Sequence, residues 1–213
     1  WPTKRFAKDQ FRERTLPGMY SGDMIGCFCL TEDEAGSDAR SMKTLATRVD
    51  GGFRIKGKKT FITNADHARV AIVIARTVEG GHVALGIVSD EPGLKVEGVR
   101  VEPIKEKWVL KGSPFSEVYF DDVFVPEDAL LGEYGRGFDD VAMKTLDVGR
   151  VSIGAQGVGV GLAMIDLAFR HVQERKQFGK RLIDFQAIQF AIADSYTELA
   201  GAWELTLRTA ELC

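Results

Sequence analysis

Residues 26–38, GCFCLTEDEAGSD, decide how this chain is read. Ile25 to Leu30 is an apolar run that breaks into a short polar loop with Gly36 near its end. A buried strand running out into a loop is where a scaffold presents backbone groups to a ligand. Thr31 closes the strand with a hydroxyl, and Gly36-Ser37-Asp38 offers close backbone approach beside small polar groups. Downstream, Thr60-Phe61-Ile62-Thr63-Asn64 repeats the pattern of strand residues, then a hydroxyl and a turn residue. Two strand ends with facing threonines suit a flat heterocycle with a polar edge. They do not suit a metal or a nucleophile.

The rest of the composition narrows the function classes. The chain has 213 residues, 45% hydrophobic and 28% charged, with a net charge of −3. A nucleic-acid surface would be basic overall, so none is expected. Cys27 and Cys29 fall on one face of a strand, and both are expected to be buried free thiols of a reducing compartment. A lone C-x-C with His67, His82 and His171 scattered elsewhere is too few ligands for zinc, so no metal is expected. There is no uninterrupted apolar run of about 18 residues, which predicts no membrane span. No secretory signal is visible either. The chain opens on Trp1 and closes inside an apparent helix, which predicts a fragment, a processed chain or a partial one.

Residues 1–22 mix lysine and arginine with Phe6, Phe11 and Leu16, and Pro17-Gly18 is expected to end any helix there. From Met24 to Val125 the texture is β. Thr44–Val49 and Phe53–Gly57 flank Asp50-Gly51-Gly52, a hairpin signal. Further strands are expected at Arg69–Thr77, buried on both faces, at His82–Val88, at Leu94–Val101 and from Phe115 to Val125. Strands in series without helices between them predict an antiparallel barrel or sandwich. Beyond Pro126 the chain turns helical: a short helix over Phe138–Asp147, a longer one from Gly149 to about Arg175, and a last one capped by Asp184. Gly154, Gly157, Gly159 and Gly161 in one helix point to close helix packing or to a ligand. The last helix carries Phe185, Ile188, Ile192, Tyr196, Leu199, Trp203 and Leu207 as one stripe, a core or subunit-interface face.

On these segments the sequence resembles the acyl-CoA dehydrogenases. GCFCLTEDEAGSD is similar to their flavin- and thioester-binding segment, and KTFITN at 59–64 to their second flavin-contact strand, where tryptophan is common in place of Phe61. AMKTLDVGR at 142–150 and ERKQFGK at 174–180 match two further segments in order. The implied fold is α+β: an antiparallel β-barrel or sandwich followed by a helical bundle. Residues 1–22 would be the remnant of a helical domain, 23–128 the middle β-domain and 129–213 an incomplete C-terminal helical domain.

The resemblance implies FAD-dependent α,β-dehydrogenation of an acyl-CoA, with electrons passed to an electron-transfer flavoprotein. It implies that Phe28, Leu30 and Thr31, with Phe61, Ile62 and Thr63, line the flavin. Arg175, Gln177 and Phe178, with Gln186, would reach a sister subunit's FAD pyrophosphate in a homotetramer or homodimer. Ser37, Met143, Asp147 and Arg150 would contact the coenzyme A thioester. A bare intrahelical Asp147–Arg150 pair is the alternative. Glu32, Glu34 and Asp38 are expected to be loop charges in solvent. No catalytic base is found: the family glutamate is expected beyond Cys213, and its helical variant is excluded by Gly149. The expected location is a bacterial cytoplasm or the mitochondrial matrix. Alternatives are an oxidase, a monooxygenase or a carrier-protein dehydrogenase on the same fold, or an inactive flavin-fold binding protein.

Overall fold

The structure, a computed structural model, describes residues 1–212. The chain divides into two compact units, Trp1–Thr145 and the residues from Leu146 onward.

The first unit opens with helices α1 (Pro2–Phe6) and α2 (Asp9–Ser21). Thr3, Ala7, Phe11 and Thr15 are all buried at spacings of four, so the basic segment docks one stripe on the core rather than standing in solvent. Pro17 does not end α2. The helix passes through it and stops at Gly22, whose φ of 88° is the left-handed conformation glycine supplies at helix ends. The Met24 N–H then donates to the Gly18 carbonyl at 2.9 Å. Burial of Phe11 and Thr15 holds the helix together across the proline.

Eight strands follow: β1 (Gly26–Cys29), β2 (Leu45–Val49), β3 (Gly52–Thr63), β4 (Val70–Thr77), β5 (His82–Val88), β6 (Val99–Pro103), β7 (Phe115–Pro126) and β8 (Leu130–Leu131). Their order is β6-β7-β3-β2-β4-β5-β8, with β1 beside β4. The α+β class holds, but the sheet is mixed and forms no closed barrel. β4 runs parallel to both β1 and β2. The reason lies in β4 itself. Its sequence VAIVIART is buried at every position but Arg76, so it needs a neighbour on each edge and cover on each face. β5 takes one edge. β1 takes the other along Val70–Val73, and β2 takes it along Arg76–Thr77. The chain therefore leaves the sheet between β1 and β2, at the polar loop that follows Leu30.

Two strand boundaries move. β3 continues to Thr63, well past Gly57, and β6 starts at Val99 because Leu94 is buried in a turn at φ 52°.

Helix boundaries move too. Gly137–Met143 is a π-helical stretch that runs straight into α3 (Lys144–Glu174), so no separate helix covers Phe138–Asp147. Phe138, buried against His82 with ring centroids 5.4 Å apart, anchors that wide turn.

In the second unit, β9 (Lys176–Gln177) and β10 (Lys180–Arg181) form a hairpin, and α4 spans Gln186–Leu212. Asp184 does not cap α4. It closes a short 3-10 turn by accepting the Arg181 N–H at 3.0 Å. α3 and α4 pack antiparallel: a Cβ at Gly161 would run into Leu199, and one at Gly154 would lie 3.6 Å from Thr206. Gly161 thus serves close packing, whereas Gly157 and Gly159 border open space. Ile192 and Tyr196 of the α4 stripe line an apolar groove with Leu162, Ile165 and Phe169. Gly137–Glu174 is long and apolar enough on average to pass as a candidate span, with a window of mean hydropathy 1.5, although no uninterrupted apolar run of about 18 residues occurs in it. Valine, isoleucine, leucine and alanine raise that average while glycine lowers it, and the core helix of a larger bundle has the same composition.

Gly86 on β5 has no room for a side chain. A Cβ there would penetrate the fully buried Phe11 ring. Gly86→Ala is expected to destabilise the protein by about 1–3 kcal/mol, the usual cost of overpacking. Urea denaturation measures this, and an unchanged midpoint would show that α2 does not depend on the contact.

Candidate functional site

The site is built where β1 ends beside a bulge in β3. Pairing of β3 with β7 slips between Lys59 and Ile62. A bulge bends a strand and re-aims its side chains. Here it leaves Lys59, Thr60 and Ile62 buried and turns Phe61 outward, at φ 56° and 63% exposed. The Thr60 N–H donates to the Thr31 carbonyl at 2.8 Å, which docks the end of β1 on β3. Thr63 lies three residues further along β3, about 10 Å at the usual rise of a strand. Thr31 is half-buried and Thr63 exposed, so neither hydroxyl is lost in a dry core.

A cavity of about 320 Å³ opens beside Gly26–Phe28 of β1 and the last residue of β3; of the flavin candidates its lining takes in Phe28 and Thr63, and does not include Leu30, Thr31, Phe61 or Ile62. Phe28 and Ile72 wall it, Thr63 and Asn64 edge it, and Met19 and Thr145 contribute from the helices. Leu30 and Ile62, by contrast, are buried, and offer a ligand backbone groups only. Asn64 has the left-handed φ of 67° expected of a turn residue, yet also borders the cavity. Met19, Asn64 and Thr145 were missed as lining residues because no local spacing brings them to this point. Thr145 donates its hydroxyl proton to the Val141 carbonyl at 2.6 Å, so towards a ligand it can only accept.

Beneath the site lies a buried ion pair. Lys59 is fully buried and Glu32 is 8% exposed, so Glu32 is not the solvated loop charge its neighbours suggest. Lys59 Nζ donates to Glu32 Oε1 at 2.9 Å and to the Leu30 carbonyl at 2.8 Å. Glu32 also accepts the backbone N–H groups of Lys43, at 2.6 Å, and Thr44, at 3.0 Å. Burial alone would raise the Glu32 carboxyl. The hydrogen bonds from Lys59, Lys43 and Thr44 outweigh it and hold the group below its ordinary range. Glu34 and Asp38 are exposed as expected, paired with Lys43 and Ser41. Cys27 and Cys29 are free, buried and 3.8 Å apart at sulfur. The hydrogen bond between them, then burial, holds the Cys27 thiol well above its ordinary range.

The remaining candidates stand as follows. Ser37 is exposed in the loop after β1 and Met143 half-buried at the end of the π-helical stretch. At Gly36 an added Cβ would meet nothing within 4 Å, so the chain itself does not demand glycine there. In the second unit Asp147 and Arg150 are both exposed and ion-paired on one face of α3. Arg175, Gln177 and Phe178 come together at the β9–β10 hairpin, whose turn holds Phe178 at φ 52° and Gly179 at 77°. That left-handed pair suits a two-residue hairpin turn and leaves Phe178 93% exposed. Gln186 is exposed at the start of α4.

Comparison with known proteins matches residues 27–123 to the acyl-CoA dehydrogenase middle domain and residues 135–213 to the acyl-CoA dehydrogenase C-terminal domain. The chain belongs to the acyl-CoA dehydrogenase family. It is 41% identical over 200 residues to the caffeyl-CoA reductase-Etf complex subunit CarC of Acetobacterium woodii, covering 94% of this chain and 52% of that protein. The structure of butyryl-CoA dehydrogenase from Megasphaera elsdenii is similar at a TM-score of 0.89 and 34% identity, over 97% of this chain and 54% of that one. Glutaryl-CoA dehydrogenase from Mycobacterium smegmatis in complex with FADH2 is similar at a TM-score of 0.89 and 28% identity, over 97% and 52% of the two chains. The chain thus spans about half the length of the curated relatives it matches. The family is one of flavoprotein oxidoreductases.

The ion pair makes stability pH-dependent, with a definite sign. The folded-state pKa of Glu32 is lowered, so its contribution is complete above the ordinary glutamate value of 4.5 and is lost as pH falls through the folded value. Glu32→Gln is expected to cost about 3–5 kcal/mol at neutral pH, because it leaves Lys59 buried without its counter-charge. The deficit should shrink as the pH is lowered below the carboxylate range. Urea midpoints at several pH values measure both, and a deficit that stayed constant into acid would argue that Glu32 is not ionised in the fold.

Proposed function

We propose that this chain forms the flavin- and acyl-CoA-binding part of an FAD-dependent acyl-CoA dehydrogenase. Such an enzyme removes one hydrogen from Cα and one from Cβ of an acyl thioester. The observation that carries the proposal is the convergence of β1 and β3. Thr31 docks on Thr60, and Phe28 and Thr63 border one cavity with an aromatic wall and a hydroxyl-and-amide rim. That arrangement fits a flat ring with hydrogen-bonding groups along one edge.

FAD, when bound, supplies the acceptor for the β-hydride. The chain's own residues bind and orient. Phe28 and Phe61 flank the ring. Leu30 and Ile62 present backbone groups. Thr31 and Thr63 hydrogen-bond the ring's polar edge, where Thr63 favours the charge that builds on reduction. Ser37 and Met143 line the thioester arm, and Asp147 and Arg150 hold the coenzyme A portion. Arg175, whose planar fork matches phosphate oxygens, works with Gln177, Phe178 and Gln186 on the FAD pyrophosphate of a sister subunit, in a homodimer or homotetramer. No residue of this chain is assigned as the base: the carboxylate that takes the α-proton lies outside it. Residues 1–22, 23–128 and 129–213 stand as the proposed domain division.

Electrons pass to an electron-transfer flavoprotein, a partner supported by the Etf complex named for the Acetobacterium relative. The proposed location is a bacterial cytoplasm or the mitochondrial matrix. The same relative is named a reductase, which favours a second reading: the site working towards reduction of an unsaturated acyl-CoA.

The full-length protein is expected to be yellow and to bleach anaerobically on addition of a saturated acyl-CoA. Bleaching by no saturated ester, with reoxidation of the reduced flavin by an enoyl-CoA, would favour the second reading. A colourless protein that takes up no FAD would sink both. Arg150→Ala should raise KM for acyl-CoA about tenfold or more while kcat changes little, as expected for a lost charge-assisted contact made equally in ground and transition states. Steady-state kinetics across acyl-CoA concentrations provide the check.

A further inference from the structure

Lys59 does not line the cavity beside Phe28 and Thr63, yet its bonds surround the one residue on which the flavin reading leans most. Its Nζ donates to the Leu30 carbonyl at 2.8 Å and to Glu32 Oε1 at 2.9 Å, the residues immediately before and after Thr31. Thr60, next along β3, donates its N–H to the Thr31 carbonyl at 2.8 Å. Two adjacent residues of β3 therefore hold three adjacent residues at the end of β1. The other side of Glu32 is tied to the N–H groups of Lys43 and Thr44, which begin β2. The third neighbour of the ammonium is Met42 Sδ, at 3.7 Å. Every polar contact of Lys59 is thus spent inside the protein, and the residue is fully buried.

A buried ion pair is a poor route to stability, since apolar residues of similar volume fill such a space at less desolvation cost. What this pair supplies that apolar residues could not is direction. It fixes the backbone on both sides of Thr31 while leaving the Thr31 side chain half-exposed. We propose that Lys59, with Glu32, is a positioning residue for the cofactor site: it frames Thr31 so that the threonine hydroxyl meets the polar edge of the flavin. The inference rests on the flavin reading above and adds to it a residue that never touches the ring.

The test uses the full-length protein and FAD itself. In the double variant Glu32→Leu with Lys59→Met, both charges are replaced by apolar groups. FAD-stripped protein should fold and melt only modestly below wild type, because no buried charge is left unpaired, although the Lys43 and Thr44 amides lose their acceptor. Its FAD dissociation constant should nonetheless rise about tenfold, the usual worth of one well-placed hydrogen bond. Thr31→Val should weaken FAD by a similar factor in the wild-type background and add little in the double variant, since groups acting through one another are not additive. Glu32→Gln with Lys59→Gln, which keeps a neutral hydrogen-bonding frame, should restore part of the affinity, and carries the same comparison should the apolar pair fail to fold. Wild-type FAD affinity in the apolar frame variant, or a full Thr31→Val loss in a frame variant as in wild type, would overturn the role of Lys59 and leave the flavin reading standing. A wild-type protein without FAD affinity would instead overturn the flavin reading.

Discussion

The bond between Lys59 Nζ and Glu32 Oε1 holds three strands at one point. Lys59 belongs to β3, Glu32 follows β1, and the amides that complete the Glu32 shell open β2. These strands are not all neighbours in the sheet. β1 and β2 share one edge of β4 in succession, so no ladder of backbone bonds joins the end of one to the start of the other. The Thr60–Thr31 bond, the Lys58–Asp33 ion pair and the contact of His82 with the Arg40 carbonyl hold other points of the loop, but only the ion pair ties its two ends to β3 at once. A desolvated charge is costly unless its partners are in place, so the pair tolerates little displacement.

The cavity follows from the same break. A continuous edge on β4 would have closed the sheet beside Phe28. The shared edge instead lets the chain peel away after Leu30, and the bulge in β3 turns Phe61 outward into solvent. Bulges commonly sit next to ligand sites because they interrupt pairing and redirect one side chain. Phe61, Asn64 and Phe178 are all non-glycine residues at positive φ. Leu94, Leu110 and Asp122 share that conformation away from the cavity, so positive φ by itself does not mark the site.

Much of this was legible in the residues. VAIVIA reads as a central strand because no face of it can meet water. Asp50-Gly51-Gly52 reads as a turn, and Gly51 takes the positive φ that only glycine adopts at no cost. The threonines at 31 and 63 read as strand ends, and both are near water. Other features were not legible. Pro17 reads as a stop, but burial of Phe11 beneath it outweighs the lost backbone bond. Glu32 reads as one of three loop acids. Only the lysine brought over from β3 distinguishes it from Glu34 and Asp38. The join between the π-helical stretch and α3 is set by Phe138 packing on His82, two residues more than fifty positions apart.

The sequence by itself determined the class of the protein, because apolar periodicity, turn residues and four ordered segments are local and survive without coordinates. The tertiary structure alone decided that the sheet is mixed and open, that Lys59 and Glu32 meet in its interior, and that Met19 and Thr145 border the same cavity as Thr63. Pairing partners and burial depend on contacts between distant parts of the chain, and spacing along a chain carries no record of which distant residue will fill a given space.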